Sequence, residues 1–221
     1  MTAPLLAMRG ISKRFPGVQA LSGVDFELAA GEVRILAGEN GAGKSTLMKI
    51  LAGVFPPDEG EILLRGEAQH FTSPGQALRA GIAMIYQEQN LAPHLTIGEN
   101  LALGHEPRRG PWLDRAAMRQ RALNLLQQVG LTVPPAALVN TLSVAQRQLV
   151  EIAKAMAWQS QVVILDEPTA CLTRREIARL FDLLRRLRAQ GVGLIYISHR
   201  MEEFRQIGDQ VTVLRDGRLV A

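Results

Sequence analysis

The chain has 221 residues, of which 47% are hydrophobic and 21% are charged, and its formal net charge is +4. This composition is typical of globular domains and excludes collagen-like, coiled-coil and disordered classes. The longest apolar runs, residues 162–165 and 194–197, are far shorter than the roughly 20 residues that span a bilayer, so we expect any role at a membrane to depend on a partner. The single cysteine, Cys171, excludes an intrachain disulfide, and we expect it to be a small buried residue. The mild excess of 25 basic over 21 acidic residues does not indicate a nucleic-acid groove.

The N-terminal part of the chain alternates between predicted strands and predicted helices. Val33–Ala37 is a predicted strand, and a helix is predicted over Lys44–Leu51 after a glycine-rich turn. A strand over residues 61–64, a short helix over 77–79 and a strand over 82–86 follow. Apolar strands that alternate with helices favour a parallel sheet, and the sequence therefore predicts an α/β core.

The middle of the chain, from about residue 91 to residue 157, contains no predicted strand. Asp114 begins a predicted helix that ends at Gly130, and Ser143 begins another that continues to the end of this segment. We therefore expect an all-helical subdomain at about residues 91–157. It is inserted between two parts of the α/β core, about residues 1–90 and 158–221.

Strands and helices alternate again in the last part of the chain. A predicted strand over residues 161–165 precedes a helix that begins with a capping box formed by Thr173 and Glu176. The next predicted strand covers residues 192–197. The dipeptide Asp216-Gly217 then predicts a hairpin turn between two short strands.

Residues 38–45 have the sequence GENGAGKS, which matches the phosphate-binding pattern G-x-x-x-x-G-K-[ST]. A predicted strand precedes the motif and a predicted helix follows it, as this pattern requires. Its glycines let successive backbone N–H groups point inward at a helix N-terminus, which makes a concave site for an anion. Lys44 supplies a positive charge for the β- and γ-phosphates, and Ser45 offers a hydroxyl to Mg²⁺. The loop therefore predicts a nucleotide site.

The second chemical motif is the sequence VVILDE at residues 162–167. Four apolar residues predict a buried strand, and Asp166 lies at its end, where a carboxylate can hold Mg²⁺ through water. Glu167 follows directly and is a candidate to accept a proton from an attacking water. The two motifs supply complementary parts of one Mg–nucleotide site.

These motifs, in this order, resemble the nucleotide-binding subunit of an ABC transporter. Gln87 is similar to the glutamine that approaches Mg²⁺ and the attacking water in that family, and His199 is similar to the histidine that contacts the γ-phosphate. Phe15 is similar to the aromatic residue that stacks on adenine. The sequence LSVAQ stands where the family has its Leu-Ser-Gly-Gly-Gln signature, over Leu142, Ser143, Val144, Ala145 and Gln146.

The resemblance implies a P-loop NTPase core, in which a mixed sheet has helices on both faces and N-terminal antiparallel strands accompany it. It implies that residues 1–221 form one ABC-type domain. The implied cofactors are ATP and Mg²⁺. Residues implied to bind the nucleotide are Phe15, Gly38, Glu39, Asn40, Gly41, Ala42, Gly43, Lys44, Ser45 and Thr46. The implied catalytic residues are Glu167, His199, Gln87 and Lys44, and the implied metal ligands are Ser45, Gln87 and Asp166.

Longer segments, such as GENGAGKSTLMKILAG and ISHRMEEF, resemble the ATPases of monosaccharide importers of the ribose, xylose and galactose type. The match is to the first of two nucleotide-binding halves, so we expect a truncated chain or an isolated half. The implied partners are a second nucleotide-binding half, in tandem or as a homodimer, a transmembrane permease and a separate solute-binding protein. No nucleic acid is expected. The implied location is the cytoplasmic face of the inner membrane, with the permease contacting about residues 88–106.

The sequence departs from the family pattern in two places. Val144 and Ala145 replace the two signature glycines, and side chains there are expected to weaken contact with an ATP held by the opposite half. Thr173 replaces the aspartate that often ends the segment after the catalytic glutamate, which puts communication between halves through this loop in doubt.

Two other functions remain open. One is a soluble ABC-type ATPase of DNA repair or translation, although no heptad run or basic linker is present. The other is a half that binds ATP but turns over only with a complementary half. The sequence does not identify the transported solute. A sugar is the expectation from the family, but an importer of inositol, nucleosides or furanones would have the same ATPase motifs.

Overall fold

The structure, a computed structural model, describes residues 3–86 and 90–220. These residues form a six-stranded sheet, a four-stranded sheet, a two-stranded hairpin and seven α-helices. The strands are β1 (Leu6–Phe15), β2 (Val18–Leu28), β3 (Val33–Ala37), β4 (Glu59–Leu64), β5 (Glu67–Gln69), β6 (Ile82–Ile85), β7 (Arg108–Arg109), β8 (Trp112–Leu113), β9 (Val162–Asp166), β10 (Gly193–Ile197), β11 (Gln210–Arg215) and β12 (Arg218–Leu219). The helices are α1 (Lys44–Leu51), α2 (Pro74–Arg79), α3 (Ile97–Ala102), α4 (Arg115–Gln128), α5 (Val144–Ala157), α6 (Arg174–Ala189) and α7 (Met201–Ile207). A 3₁₀ turn covers Val139–Thr141, and β7 and β8 form a separate two-stranded hairpin.

The larger sheet has six strands in the order β12-β11-β3-β10-β9-β6. All neighbours are parallel except β12, which pairs with β11 in the antiparallel sense. Helices cover both faces because the central strands β3, β9 and β10 are apolar at nearly every position, with Arg34 and Asp166 as the exceptions. Ile35, Leu165 and Tyr196 face a core shared with α5 and α6, while the residues next to them, such as Leu36 and Ile195, face a core shared with α1. The expected mixed sheet with helices on both faces is confirmed.

The smaller sheet has four antiparallel strands in the order β2-β1-β4-β5. Its apolar face, including Met8 and Phe26, belongs to the same core as Leu47 and Met48 of α1. The N-terminal antiparallel strands implied by the family resemblance are therefore present.

Helices α3, α4 and α5, which lie between β6 and β9 in the sequence, pack on one another. The side chain of Asn100, which is fully buried, accepts from the backbone N–H of Ala92 and donates to the carbonyl oxygens of Ala92 and Thr96. Asp114 caps α4 by accepting from the N–H of Ala117 at 2.9 Å. The subdomain boundaries at about residues 91 and 157 remain a prediction.

The expectation that this region contains no strand is wrong at one place, the hairpin of β7 and β8. Each strand has two residues, and Gly110 has a φ of +63° between them. A pair of such short strands leaves no alternating pattern that a sequence analysis can detect.

The helix cap and the turn predicted for the C-terminal part are both present. Thr173 and Glu176 form the expected capping box at α6. Asp216 and Gly217 have φ values of +50° and +70° in the turn between β11 and β12. Cys171, however, is exposed, so the expectation that it is buried is wrong; it lies in the loop between β9 and α6 rather than in an element with a core-facing side. Among the residues described, no helix is long and apolar enough to cross a bilayer.

Candidate nucleotide-binding site

The phosphate-binding loop connects β3 to α1. The ammonium group of Lys44 donates to the carbonyl oxygens of Gly38, at 2.7 Å, and Glu39, at 2.9 Å, so the loop closes around its own lysine. Gly43 is the N-cap of α1, with a φ of +103°, and no side chain caps this helix. A Cβ atom on Gly43 would lie 2.7 Å from the carbonyl oxygen of Ala20. Glycine is therefore required here, and the first N–H groups of α1 have no side-chain acceptor, which suits an anion.

A cleft of about 790 Å³ opens above this loop. The residues of the expected site that line it are Phe15, Asn40, Gly41, Gly43, Lys44, Ser45, Thr46, Asp166 and Glu167. Gly38 and Glu39 contribute through the carbonyl groups that hold Lys44, and Ala42 is buried beneath the loop. The structure thus brings the two chemical motifs to one cavity.

Asp166 and Glu167 follow each other at the end of β9. Burial raises the pKa of Asp166 above its usual value, and the neighbouring Glu167 carboxylate raises it further, while Lys44 and Lys49 oppose the shift. Glu167 has a φ of +45°, and its backbone N–H donates to the carbonyl oxygen of Ile197 at 3.0 Å. Because its charge is disfavoured by burial and by the neighbouring carboxylate, Asp166 is suited to face a cation.

His199 follows β10, the strand that pairs with β9. Its Nδ1 atom lies 3.1 Å from Oε1 of Glu167. The contact arises because parallel neighbouring strands end at the same edge of the sheet. His199 remains largely exposed, whereas the Glu167 side chain is only about one quarter exposed. The predicted base and the predicted γ-phosphate sensor therefore touch each other.

Of the two remaining predicted site residues, Phe15 is described by the structure and Gln87 is not. Phe15 lies at the edge of the cleft, 38% exposed, and its ring packs edge-on against Phe55 at a centroid distance of 5.4 Å. Lys13 lies 5.9 Å from the same ring. Gln87 falls outside the described residues, so its assignment as a catalytic residue and metal ligand remains a prediction.

The sequence analysis did not assign several residues that line the cleft. They are Val18, Gln19 and Ala20 of β2, Ile197, and the turn residues Asp216 and Gly217. The N–H of Gly217 donates to the carbonyl oxygen of Ala42 at 3.1 Å, and the carbonyl oxygen of Gly217 accepts from Ser22. The Asp-Gly pair indicated a turn, but only the fold brings that turn against the phosphate-binding loop.

The family model described as "ABC transporter" matches residues 21–170, which include the phosphate-binding loop, the signature segment and both carboxylates. This chain belongs to the ABC transporter family.

Curated relatives in the ABC family resemble the chain over nearly its whole length. It is 58% identical over 217 residues to the ribose import ATP-binding protein RbsA 1 of Rubrobacter xylanophilus, covering 98% of this chain and 44% of that protein. It is 54% identical to a putative ribose/galactose/methyl galactoside import ATP-binding protein of Agrobacterium fabrum, covering 98% of this chain and 43% of that protein. The chain spans less than half the length of these relatives.

Solved structures of ABC proteins share the fold. An ATP-binding cassette of an ABC transporter in its ADP conformation matches with a TM-score of 0.87 and 26% identity, covering 100% of this chain and 91% of that one. A nucleotide-free ATP-binding cassette matches with a TM-score of 0.88 and 26% identity, covering 99% and 90%. The predicted P-loop NTPase fold is therefore confirmed.

The ABC signature segment lies apart from the cleft, since none of residues 142–146 is among the described residues that line it. Leu142 is buried. The Ser143 hydroxyl accepts from the N–H of Gln146 at 3.2 Å, and the Gln146 side chain accepts from the N–H of Ser143 at 2.9 Å. Val144 is exposed and Ala145 is half-buried. The signature thus forms a capped helix start on another part of the surface.

Proposed function

We propose that this chain is the ATP-binding and hydrolysing half of an ABC importer ATPase that powers uptake of a monosaccharide through a membrane permease. The observation that supports hydrolysis most directly is the contact between Glu167 and His199 beside the cleft of the phosphate-binding loop. The observation that supports a sugar cargo is the resemblance to ATPases whose names specify ribose and galactose import.

ABC ATPases bind ATP, and the residues of this cleft fit ATP with Mg²⁺. Phe15 at the edge of the cleft is suited to the adenine ring, and the residues from Gly41 to Thr46 are suited to the phosphates. Within residues 3–86 and 90–220, no cluster of three or more acidic, histidine or cysteine side chains could hold a metal alone. This agrees with Mg²⁺, which typically uses one or two protein oxygens and the substrate phosphates. We assign those oxygens to Ser45 and Asp166, together with Gln87.

In this proposal, hydrolysis depends on the position of the attacking water and on neutralisation of the phosphate charge. Lys44 neutralises charge on the β- and γ-phosphates, and bound Mg²⁺ would add further electrostatic stabilisation. Glu167 orients the attacking water and accepts its proton. His199, in contact with Glu167, holds that carboxylate and contacts the γ-phosphate. Little covalent chemistry is required of the protein, because in-line attack depends mainly on geometry.

The partners of this half follow from the same proposal. A second nucleotide-binding half, in tandem or as another copy, supplies a signature to the ATP bound here. A permease docks on about residues 88–106, of which the part from residue 90 leads into the capped start of α3. A separate solute-binding protein delivers the sugar, and the ATPase lies at the cytoplasmic face of the inner membrane.

A second candidate is a half that binds ATP but is inactive without a complementary half. Val144, 39% exposed at the signature, favours it, because its side chain stands where a glycine would let the backbone approach a phosphate. A soluble ATPase of DNA repair or translation is less well supported. The longest helix among the described residues, α6, has 16 residues and forms no coiled coil of the kind those proteins contain.

The test is Mg-ATP hydrolysis measured against protein concentration, with Lys44→Ala and Glu167→Gln as controls. If two copies form a working site, the rate per molecule rises with concentration, and Glu167→Gln retains ATP binding but loses roughly 10²–10⁴-fold in turnover. ATP binding without turnover at any concentration would support the half-site candidate. Absence of ATP binding, or wild-type turnover in Glu167→Gln, would contradict the proposed function.

A further inference from the structure

Helix α7 contains a buried carboxylate that the proposed mechanism does not use. Glu203 is 4% exposed, and three hydroxyl groups donate to it. The Thr169 hydroxyl lies 2.6 Å from Oε1, and the hydroxyls of Tyr196 and Ser198 each lie 2.8 Å from Oε2. The Arg200 guanidinium lies 3.6 Å from Oε1. A buried charge of this kind is tolerated only when it is paired and hydrogen-bonded, and here both oxygens are satisfied.

The three donors belong to the segments that hold the catalytic pair. Thr169 lies two residues after Glu167, in the loop that follows β9. Ser198 immediately precedes His199, and its hydroxyl oxygen also accepts from the N–H of Arg200 at 3.1 Å. Tyr196 anchors the same carboxylate to β10. One side chain therefore joins both loops whose tips meet at the Glu167–His199 contact.

Hydroxyl groups are the donors in all three hydrogen bonds to Glu203. Burial raises the pKa of Tyr196 well above its usual value, and the neighbouring Glu203 carboxylate raises it further. Tyr196 therefore keeps its proton and donates it. The two side-chain oxygens of Glu203 have enough lone pairs to accept from all three hydroxyl groups.

We propose that Glu203 is a positioning residue for ATP hydrolysis, which sets the distance between Glu167 and His199 by holding Thr169 and Ser198. Glu203 is not among the described residues that line the cleft, so it acts through these loops and does not touch the nucleotide. The inference rests on the proposed function, because it assigns a role within the same catalytic site.

The primary test is Glu203→Gln in the complete ATPase that contains this chain. Glutamine has about the same size but no charge and only one acceptor oxygen, so one hydroxyl must reverse to accept from the amide group, and the ion pair with Arg200 is lost. The matched control is Glu202→Gln, which removes the same charge from the exposed neighbouring residue. We expect kcat to fall about 10- to 100-fold in Glu203→Gln with the KM for ATP little changed, because misplacement of about 1 Å affects the chemical step. Equal kcat values in the two variants would overturn the proposal.

A double-mutant cycle separates positioning from general damage. If Glu203 acts through His199, Glu203→Gln has little additional effect on kcat in a His199→Ala background. Fully additive losses would overturn the proposal.

Since Glu203→Gln could fail to fold, a second pair of variants is available. Ser198→Ala and Tyr196→Phe each remove one donor to the same oxygen of Glu203. We expect a larger fall in kcat for Ser198→Ala, and equal falls would contradict the inference.

One measurement does not depend on turnover. The imidazole ¹⁵N signals of His199 should shift or broaden in Glu203→Gln and stay unchanged in Glu202→Gln, because only the first variant alters its loop. If the wild-type protein hydrolyses no ATP, the proposed function fails while this measurement still decides the positioning role. If the wild type hydrolyses ATP and His199 is unaffected, the positioning role alone fails.

Discussion

Two helix N-termini in this molecule, one at the predicted phosphate-binding loop and one at the predicted signature, differ in how their first N–H groups are hydrogen-bonded. At α1 the cap is Gly43, and no side chain accepts from the helix. At α5 the cap is Ser143, and a reciprocal capping box with Gln146 occupies one N–H at the helix start and the N–H of the cap residue itself. A helix start with a glycine cap leaves its first N–H groups able to bind an anion. A helix start with a side-chain cap is more stable, but fewer of its N–H groups can bind an anion.

The largest effect on ATP affinity is expected when a side chain is added at Gly43, the cap of α1. Gly43→Ala places a side chain at a φ of +103° and within 2.7 Å of the Ala20 carbonyl oxygen, so the loop must shift. Backbone strain of this kind costs about 1–3 kcal/mol, and displacement of the N–H groups adds to the loss of affinity. We expect ATP affinity to fall by roughly 100-fold or more, measured by titration with a fluorescent ATP analogue.

Gly75→Ala is the matched control for that variant. Gly75 lies in α2 without a positive φ, and its Cβ would meet only the flexible end of Arg79 at 3.4 Å. We expect unchanged ATP affinity. If both variants bind ATP like the wild type, the open helix start is not what holds the phosphates.

A smaller effect is expected from opening the capped helix start. Val144→Gly with Ala145→Gly restores the glycines of the family signature, which allows the backbone to approach the γ-phosphate of a second copy. Each glycine costs up to about 1 kcal/mol of helix stability, although positions at the helix start are less sensitive. We expect a several-fold higher rate of ATP hydrolysis at high protein concentration and a slightly lower Tm.

Concentration dependence decides the outcome for the double variant. A rate increase that is equal at low and high concentration would mean that the glycines act within one copy. An unchanged rate at all concentrations would show that the signature side chains do not limit hydrolysis by this half.

The smallest effect is expected at Asp166, whose carboxyl group lines the same cleft as the start of α1. The pKa of Asp166 is raised by burial and by Glu167, so the folded chain binds this proton more tightly than the unfolded chain. In the absence of nucleotide, stability from this group is fully present below its ordinary pKa of 3.8 and is lost as the pH rises through the raised pKa. We expect Asp166→Asn to flatten this dependence and to raise the Tm slightly at neutral pH, measured by thermal unfolding from mildly acidic to neutral pH.

Glu67→Gln is the control for the Asp166 variant, because it removes one negative charge from an exposed residue. Its pH profile should follow that of the wild type. If Asp166→Asn lowers the Tm at neutral pH, the ionised carboxylate stabilises the fold, and the physical account of its raised pKa is wrong.

The sequence predicted most accurately those elements whose local chemistry is strong. The helix over Lys44–Leu51 has the predicted bounds, because the glycine loop and Lys44 define its start. The helices that follow Asp114 and Ser143 begin where their side-chain caps indicate. Hydrogen bonding by the cap residue was sufficient for these last two helices.

Other elements depend on contacts that no local pattern contains. β1 and β2 were expected only through the family resemblance, because register shifts along this pair interrupt the alternation that predicts strands. Glu203 contacts Thr169, and Gly217 contacts Ala42, through segments that are far apart in the sequence. The contact between Glu167 and His199 follows from strand order, which the motifs alone do not specify.

The left-handed backbone of Glu167 has a consequence for laboratory evolution of this protein. A glutamate at a φ of +45° is less favourable than glycine or asparagine at the same position. A selection for thermal stability alone would therefore enrich glycine or asparagine at this residue, and either of them would remove the carboxylate that we propose to accept the proton from water. Libraries screened only for heat resistance should accumulate stable, non-hydrolysing chains, so a screen must retain turnover as a second criterion.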